Sequence, residues 1–322
     1  MSYTSPPSDP FDPFGSPQPR RSRLRRPLTV ALAVLVPGAL LGWLAYGTLG
    51  GTGDGGDGAD RAAGSGATPS VLHSPTDGEG KTGDPGATAS ATSDPKGSDS
   101  LKGKVVVIDP GHNPANAEHT AEINRTVDIG TNSKECDTTG TSTNSGYSEA
   151  RFTLDVAHRL RTLLQQRGAT VKLTQDADRP YGPCVDERAR IGNAAHADAV
   201  VSIHADGSGT GNRGFHVILP GSVRAGAADT RAITGPSKNL GKLIADDFAR
   251  TTGSSPSNYI GDGTGLVTRE DLGGLNLSTV PKVFIECGNM RDSKDAALLT
   301  SGAWRQKAAQ GISEGIVSFL RG

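Results

Sequence analysis

Apolar residues follow two rhythms along this chain, and both begin only after residue 100, with one exception upstream. Short, mainly apolar runs at 105–108, 169–173, 199–203, 214–219 and 282–285 have the length and composition of strands in a buried parallel sheet. The first sits in KVVVIDPGH and ends in a Pro-Gly turn. Between the first two runs, Phe152, Val156, Leu160 and Leu163 form one stripe at helical spacing, in a helix that should end near Gly168. Asp186 is placed to cap a shorter helix to Ala195, and Ser237 one to Arg250. Ser301 would cap a last helix, whose stripe is Trp304, Ala308, Ile312, Ile316 and Leu320. Strands alternating with helices predict an α/β fold, a mainly parallel twisted sheet covered by helices. Two long polar connections, 113–146 and 221–236, break the rhythm, and loops of that length in a compact domain tend to carry function.

The upstream exception is 28–49, LTVALAVLVPGALLGWLAYGTL, which holds no charged residue and is long enough to span a bilayer as a helix. Arg20, Arg21, Arg23, Arg25 and Arg26 precede it with no matching cluster behind, so the charge bias puts residues 1–27 inside as a basic tail and the rest outside. A cleaved signal peptide is the competing reading, with secretion as its result. Against it stand an apolar core longer than such peptides use and the lack of a clean small-x-small site. Residues 50–100 are rich in Gly, Ser, Thr, Asp and Pro and read as a flexible linker with a root-mean-square reach of roughly 40 Å. The expected organisation is a cytoplasmic tail, a single-pass anchor in the cell membrane, a tether and one extracytoplasmic domain over 101–322.

Charge narrows the choice of partners. With 33 Lys and Arg against 34 Asp and Glu, the formal net charge is −1, which gives no reason to expect nucleic acid. The domain is expected to act as a monomer. Chemistry concentrates at three strand ends: His112 after the first apolar run, His204 in VVSIHAD and Glu286 in VFIE, at the carboxyl edge where open α/β sheets place their sites. Glu149, opening the helix after the first strand, can reach the same rim. Two imidazoles and a carboxylate are a known catalytic zinc set, which leaves Glu286 as general base. Taken singly, Glu149 would serve the helix dipole equally well, His204 would pass for a buried core histidine, and His112 for a turn residue. Glu286, between Ile285 and Cys287, is harder to explain without a cation or a proton. His119, His158, His196 and His216 lack this placement and stay outside the expected metal site.

Four segments, VVVIDPGH, SEARFTLDVAHRL, ERARIGNAAHADAVVSIHAD and VPKVFIECGNMRD, resemble in order the motifs of the amidase-3 type N-acetylmuramoyl-L-alanine amidases. The resemblance covers nearly all of 101–322. It implies zinc held by His112, Glu149 and His204, with Glu286 catalytic, and cleavage of the peptidoglycan amide that joins N-acetylmuramic acid to L-alanine. HNPANAEH replaces the Gly- and Asp-rich segment that commonly follows the first histidine. Arg188 and Asn193 match positions of the third motif, and the sequence gives them no chemical role. Two other functions stay open at this point: a zinc peptidase cutting within the peptidoglycan stem or crossbridge, and a wall-binding module without activity.

Three cysteines remain. Outside the cytoplasm two of them would pair, and Cys136 with Cys184 is the expected disulfide, because Cys287 lies on an apolar strand where a bridge would draw a loop into the core. The alternative is three free thiols.

Overall fold

The computed structural model describes residues 100–322. The basic tail, the proposed anchor at 28–49 and all but the last residue of the proposed linker lie outside the described residues. Among those described, no helix is long and apolar enough to cross a membrane. The strands are β1 (Val105–Pro110), β2 (Thr126–Asp128), β3 (Ser133–Glu135), β4 (Thr170–Leu173), β5 (Ala199–Asp206), β6 (His216–Pro220), β7 (Arg224–Ala225), β8 (Ala228–Asp229), β9 (Leu266–Arg269) and β10 (Lys282–Asn289). The helices are α1 (Thr120–Ile123), α2 (Glu149–Gln166), α3 (Val185–Ala194), α4 (Thr234–Thr252), α5 (Gly273–Asn276), α6 (Ser293–Leu299) and α7 (Gly302–Arg321).

Six strands form the main sheet in the order β4-β1-β5-β10-β6-β9. Pairing is parallel throughout except between β10 and β6, which run antiparallel. The sheet is therefore mixed, with its centre made of β5 and β10. Alternation along each strand divides its two faces. Val106 and Ile108, Val201, Ile203 and Ala205, Val283, Ile285 and Cys287, and Val217 and Leu219 belong to the large core, over which α2, α4 and α7 pack. The residues between them, Asp109, Ser202, His204, Lys282, Phe284, Glu286 and His216, share the opposite face. That second face carries a small apolar cluster, Val107, Ala197 and Val200, beside Ile191 and Ala195 at α3.

The five expected strands and the four longer helices are present, and Ser301 caps α7 as expected, accepting from the Trp304 N–H. Two expected caps need correction. Asp186 lies inside the first turn of α3, whose N-cap residue is Cys184. Ser237 lies inside α4, which starts at Thr234. Pro236 falls in that first turn, where a missing N–H costs nothing, and the buried Ser237 hydroxyl accepts from the Lys282 N–H of β10 instead. The long polar connections also contain structure: the β2–β3 hairpin lies in the first and the β7–β8 hairpin in the second.

Candidate metal centre

His112 leaves β1 in the left-handed region, at φ 60°, a conformation that costs a non-glycine residue free energy unless its surroundings impose it. Here they do. Its carbonyl accepts from Gln175 Nε2 at 3.0 Å and from Arg188 Nη2 at 3.1 Å. Its Nδ1 donates to the Thr138 carbonyl at 3.1 Å and lies 3.3 Å from Asp137 Oδ1. With Nδ1 engaged in this way, Nε2, 3.1 Å from Glu149 Oε2, is the nitrogen that would serve a metal ion.

Glu149 is the first residue of α2 and is 4 % exposed. Its other oxygen, Oε1, lies 2.9 Å from His204 Nδ1. The carboxylate accepts from the Thr141 N–H at 2.9 Å and the Ala205 N–H at 3.2 Å, so both oxygens are held toward the histidines. His204 comes from β5, with its ring stacked on Phe284 at 5.2 Å and 13°. On its other side is Gly111, where a Cβ would come within 2.4 Å of the imidazole. Gly140, at φ 72°, makes a second close approach: a Cβ there would stand 2.6 Å from His112 and 2.8 Å from the Glu149 carboxylate. Backbone, not side chain, therefore walls the space between the ligands.

One donor atom each from His112, Glu149 and His204 lies within 4.8 Å of the others. Two neutral-capable imidazoles around a buried carboxylate match the donor set of a catalytic zinc ion. The electrostatics agree. Burial disfavours a charged His112, yet the carboxylates of Glu149 and Asp137 raise its pKa well above the ordinary value, so the site favours positive charge between these side chains. The residues fit a divalent cation.

Under the ligands runs a buried ionic chain that the sequence did not reveal. Arg188, from α3, donates to Asp109 Oδ1 at 2.9 Å and Asp137 Oδ2 at 2.9 Å, and to the carbonyls of Pro110, His112 and Pro183. Asp109 also accepts from Thr174, from Ser202 and from Lys282 Nζ, the last at 3.0 Å. Burial would raise both carboxylates, but Lys282 and Arg188 hold Asp109, and Arg188 and His112 hold Asp137, well below the usual carboxylate range. The one available signal was Asp109 itself, a carboxylate inside an apolar strand. Asn193 donates to the Leu277 carbonyl and accepts from the Thr279 N–H, holding the turn before β10.

Glu286 lies on β10 opposite His204 of β5. Its Oε2 is buried without a hydrogen-bond partner among the described residues. Burial, then the carboxylates of Asp206 and Glu149, push its pKa well up, and positive charge at His112 works the other way. The excluded histidines stay outside the metal set. His119, His158 and His196 are at the surface or partly exposed, whereas His216 is buried on β6 directly across from Glu286.

The family profile described as N-acetylmuramoyl-L-alanine amidase matches residues 106–318. The chain belongs to this amidase family. Among its relatives, the N-acetylmuramoyl-L-alanine amidase Rv3717 of Mycobacterium tuberculosis is 43% identical over 222 residues, spanning 68% of this chain and 88% of that protein. The crystal structure of the N-acetylmuramyl-L-alanine amidase Ami1 from Mycobacterium smegmatis aligns with a TM-score of 0.63 at 41% identity, covering 69% of this chain and 98% of that one. Ami1 from Mycobacterium abscessus gives 0.62 at 42%, covering 68% and 100%.

As expected, this amidase domain pairs Cys136 with Cys184, while Cys287 is free and buried on the apolar face. The bridge joins the segment that orients His112 to the residue before α3. Beside it, the Val185 N–H donates to the Cys136 carbonyl at 2.7 Å. Asp137 and Thr138, which fix the His112 ring, follow at once. Closing a loop of 48 residues should contribute about 2–4 kcal/mol. Changing both cysteines to serine is expected to lower unfolding free energy by that amount and to weaken metal binding, read by denaturant titration and metal titration. Unchanged values in both would refute this role.

Proposed function

We propose that this amidase-family domain uses zinc to hydrolyse the amide between the lactyl group of N-acetylmuramic acid and L-alanine in peptidoglycan. The observation that carries the reading is the convergence of His112, Glu149 and His204 within 4.8 Å on the sheet face that also bears Glu286. Zinc, when bound, supplies a Lewis acid for the scissile carbonyl and lowers the pKa of water to about 7. Glu286 takes the proton of the attacking water and passes it to the departing nitrogen. Thr141, Ala205 and Thr138 hold the Glu149 carboxylate and the His112 ring in place through their backbone groups, so the ligands need no reorganisation. No serine or cysteine nucleophile enters: Cys287 faces the apolar core on the other side of the sheet.

The N-terminal sequence supports an extension of this reading. An Arg-rich tail, an uncharged stretch at 28–49 and a polar linker would hold the domain outside the cell membrane, within reach of the wall.

Mass spectrometry of digested peptidoglycan tests the reaction. Release of intact stem peptides with a free N-terminal alanine, from protein containing one zinc per chain, is the expected result. Stem fragments still attached to glycan would identify an endopeptidase, and zinc without turnover a binding module.

A further inference from the structure

His204, Glu286 and His216 form one row across the sheet. Glu286 is paired with His204 of β5 on one side and His216 of β6 on the other, and directly paired residues project from the same face, on strands about 4.8 Å apart. The row therefore presents a metal ligand, a base and a second imidazole. His216 is 3 % exposed, and its Nδ1 has no hydrogen-bond partner among the described residues, which is also true of the neighbouring Glu286 Oε2. The ring meets Tyr259 edge-on at 5.9 Å, and the Tyr259 hydroxyl donates to Asp206 Oδ2 at 2.6 Å. Tyr259 is thereby engaged elsewhere and does not serve the imidazole. Two orphaned polar atoms on paired residues beside a catalytic centre call for a partner that arrives with the substrate.

We propose that His216 accepts a hydrogen bond from the N–H of the scissile amide and so fixes the stem peptide on the β6 side of Glu286. The inference rests on the amidase reading above. As the amide breaks, its nitrogen becomes tetrahedral. The lone pair must face the proton carried by Glu286, and the N–H must then point elsewhere. An apolar or donor-lined wall would oppose that geometry, whereas an imidazole protonated at Nε2 offers the Nδ1 lone pair. Burial, with Arg269 adding to it, lowers the pKa of His216 to about 4, so the ring is neutral where the enzyme would work. The balance is complete without a further reagent. Glu286 gains a proton from water and returns it to nitrogen, and the C–N bond breaks with its electron pair on nitrogen. The lactyl carboxylic acid, which keeps the second proton of the water, and the alanine amine leave, and His216 ends the cycle as it began.

The test compares two substrates in the metal-loaded full chain. One is a muramyl stem fragment with the natural amide; the other is its ester analogue, with L-lactate in place of L-alanine, whose leaving atom bears no hydrogen. His216→Leu is expected to lower kcat on the amide about tenfold to a hundredfold, to keep its zinc, and to change the ester rate by about twofold or less. His216→Gln, which keeps an acceptor, should recover most of the amide rate. The ratio of amide to ester rates within each variant does not depend on how much protein is folded. Equal losses on both substrates, or no loss on the amide, would overturn the proposal. Failure of the wild-type protein to cut the amide would instead overturn the functional reading beneath it, and is told apart because no variant is involved.

Discussion

Glu286→Gln lowers turnover on peptidoglycan about a hundredfold to ten-thousandfold, the usual cost of removing a general base, while zinc content and fold persist. Glutamine has the same shape but cannot take a proton. The ligands His112, Glu149 and His204 are untouched, so metal binding has no reason to fall. Stability should hold or rise, because Glu286 is buried with an unpartnered Oε2 and faces the carboxylates of Asp206 and Glu149. Replacing it with an amide removes that repulsion. Turnover near the wild-type level, or zinc lost along with activity, would show that Glu286 is not the base.

Arg188→Met should lower the unfolding free energy by about 3–5 kcal/mol, the range for removing one partner from a buried ionic group. Asp109 would be left with Lys282 alone among cations, and Asp137 with His112. The carbonyls of Pro110, His112 and Pro183 would each lose a donor. Arg188→Lys should restore little, since one ammonium cannot span two carboxylates and three carbonyls. Denaturant titration measures both variants, and a loss under about 1 kcal/mol would mean that the network contributes little. The pH dependence gives a second reading. Folding lowers the pKa of both aspartates from the ordinary value of about 4, so their contribution is complete above that pH and is lost as pH falls through the folded values. Arg188→Met should flatten this acid limb.

Much of the fold could be read from periodicity because the central strands are largely buried on both faces and appear as short, mainly apolar runs. The direction of β6 could not, because an antiparallel strand inside such a sheet has the same composition as a parallel one. β9 escaped notice for a different reason: Leu266–Arg269 is a short edge strand with no fully buried residue, so it carries little apolar signal. Among site residues, the ligand set followed from strand ends and from the resemblance. The residues that support it did not. Arg188 reads as an ordinary helix residue, Lys282 as a charged strand flank and His216 as one more histidine, because their roles arise from partners 51 to 173 positions away.

The placement of β10 bears on when this enzyme can act. It is the last strand in the chain and yet sits inside the sheet, between β5 and β6, with Glu286 on it. α7, later still, packs against both α2 and α4. A chain stopped before residue 282 would lack an inner strand as well as the proposed base, leaving the edges of β5 and β6 open. Hydrolytic capacity therefore cannot build up gradually during synthesis or survive in N-terminal fragments. It depends on residues from 282 onward, which bring the inner strand and Glu286 together.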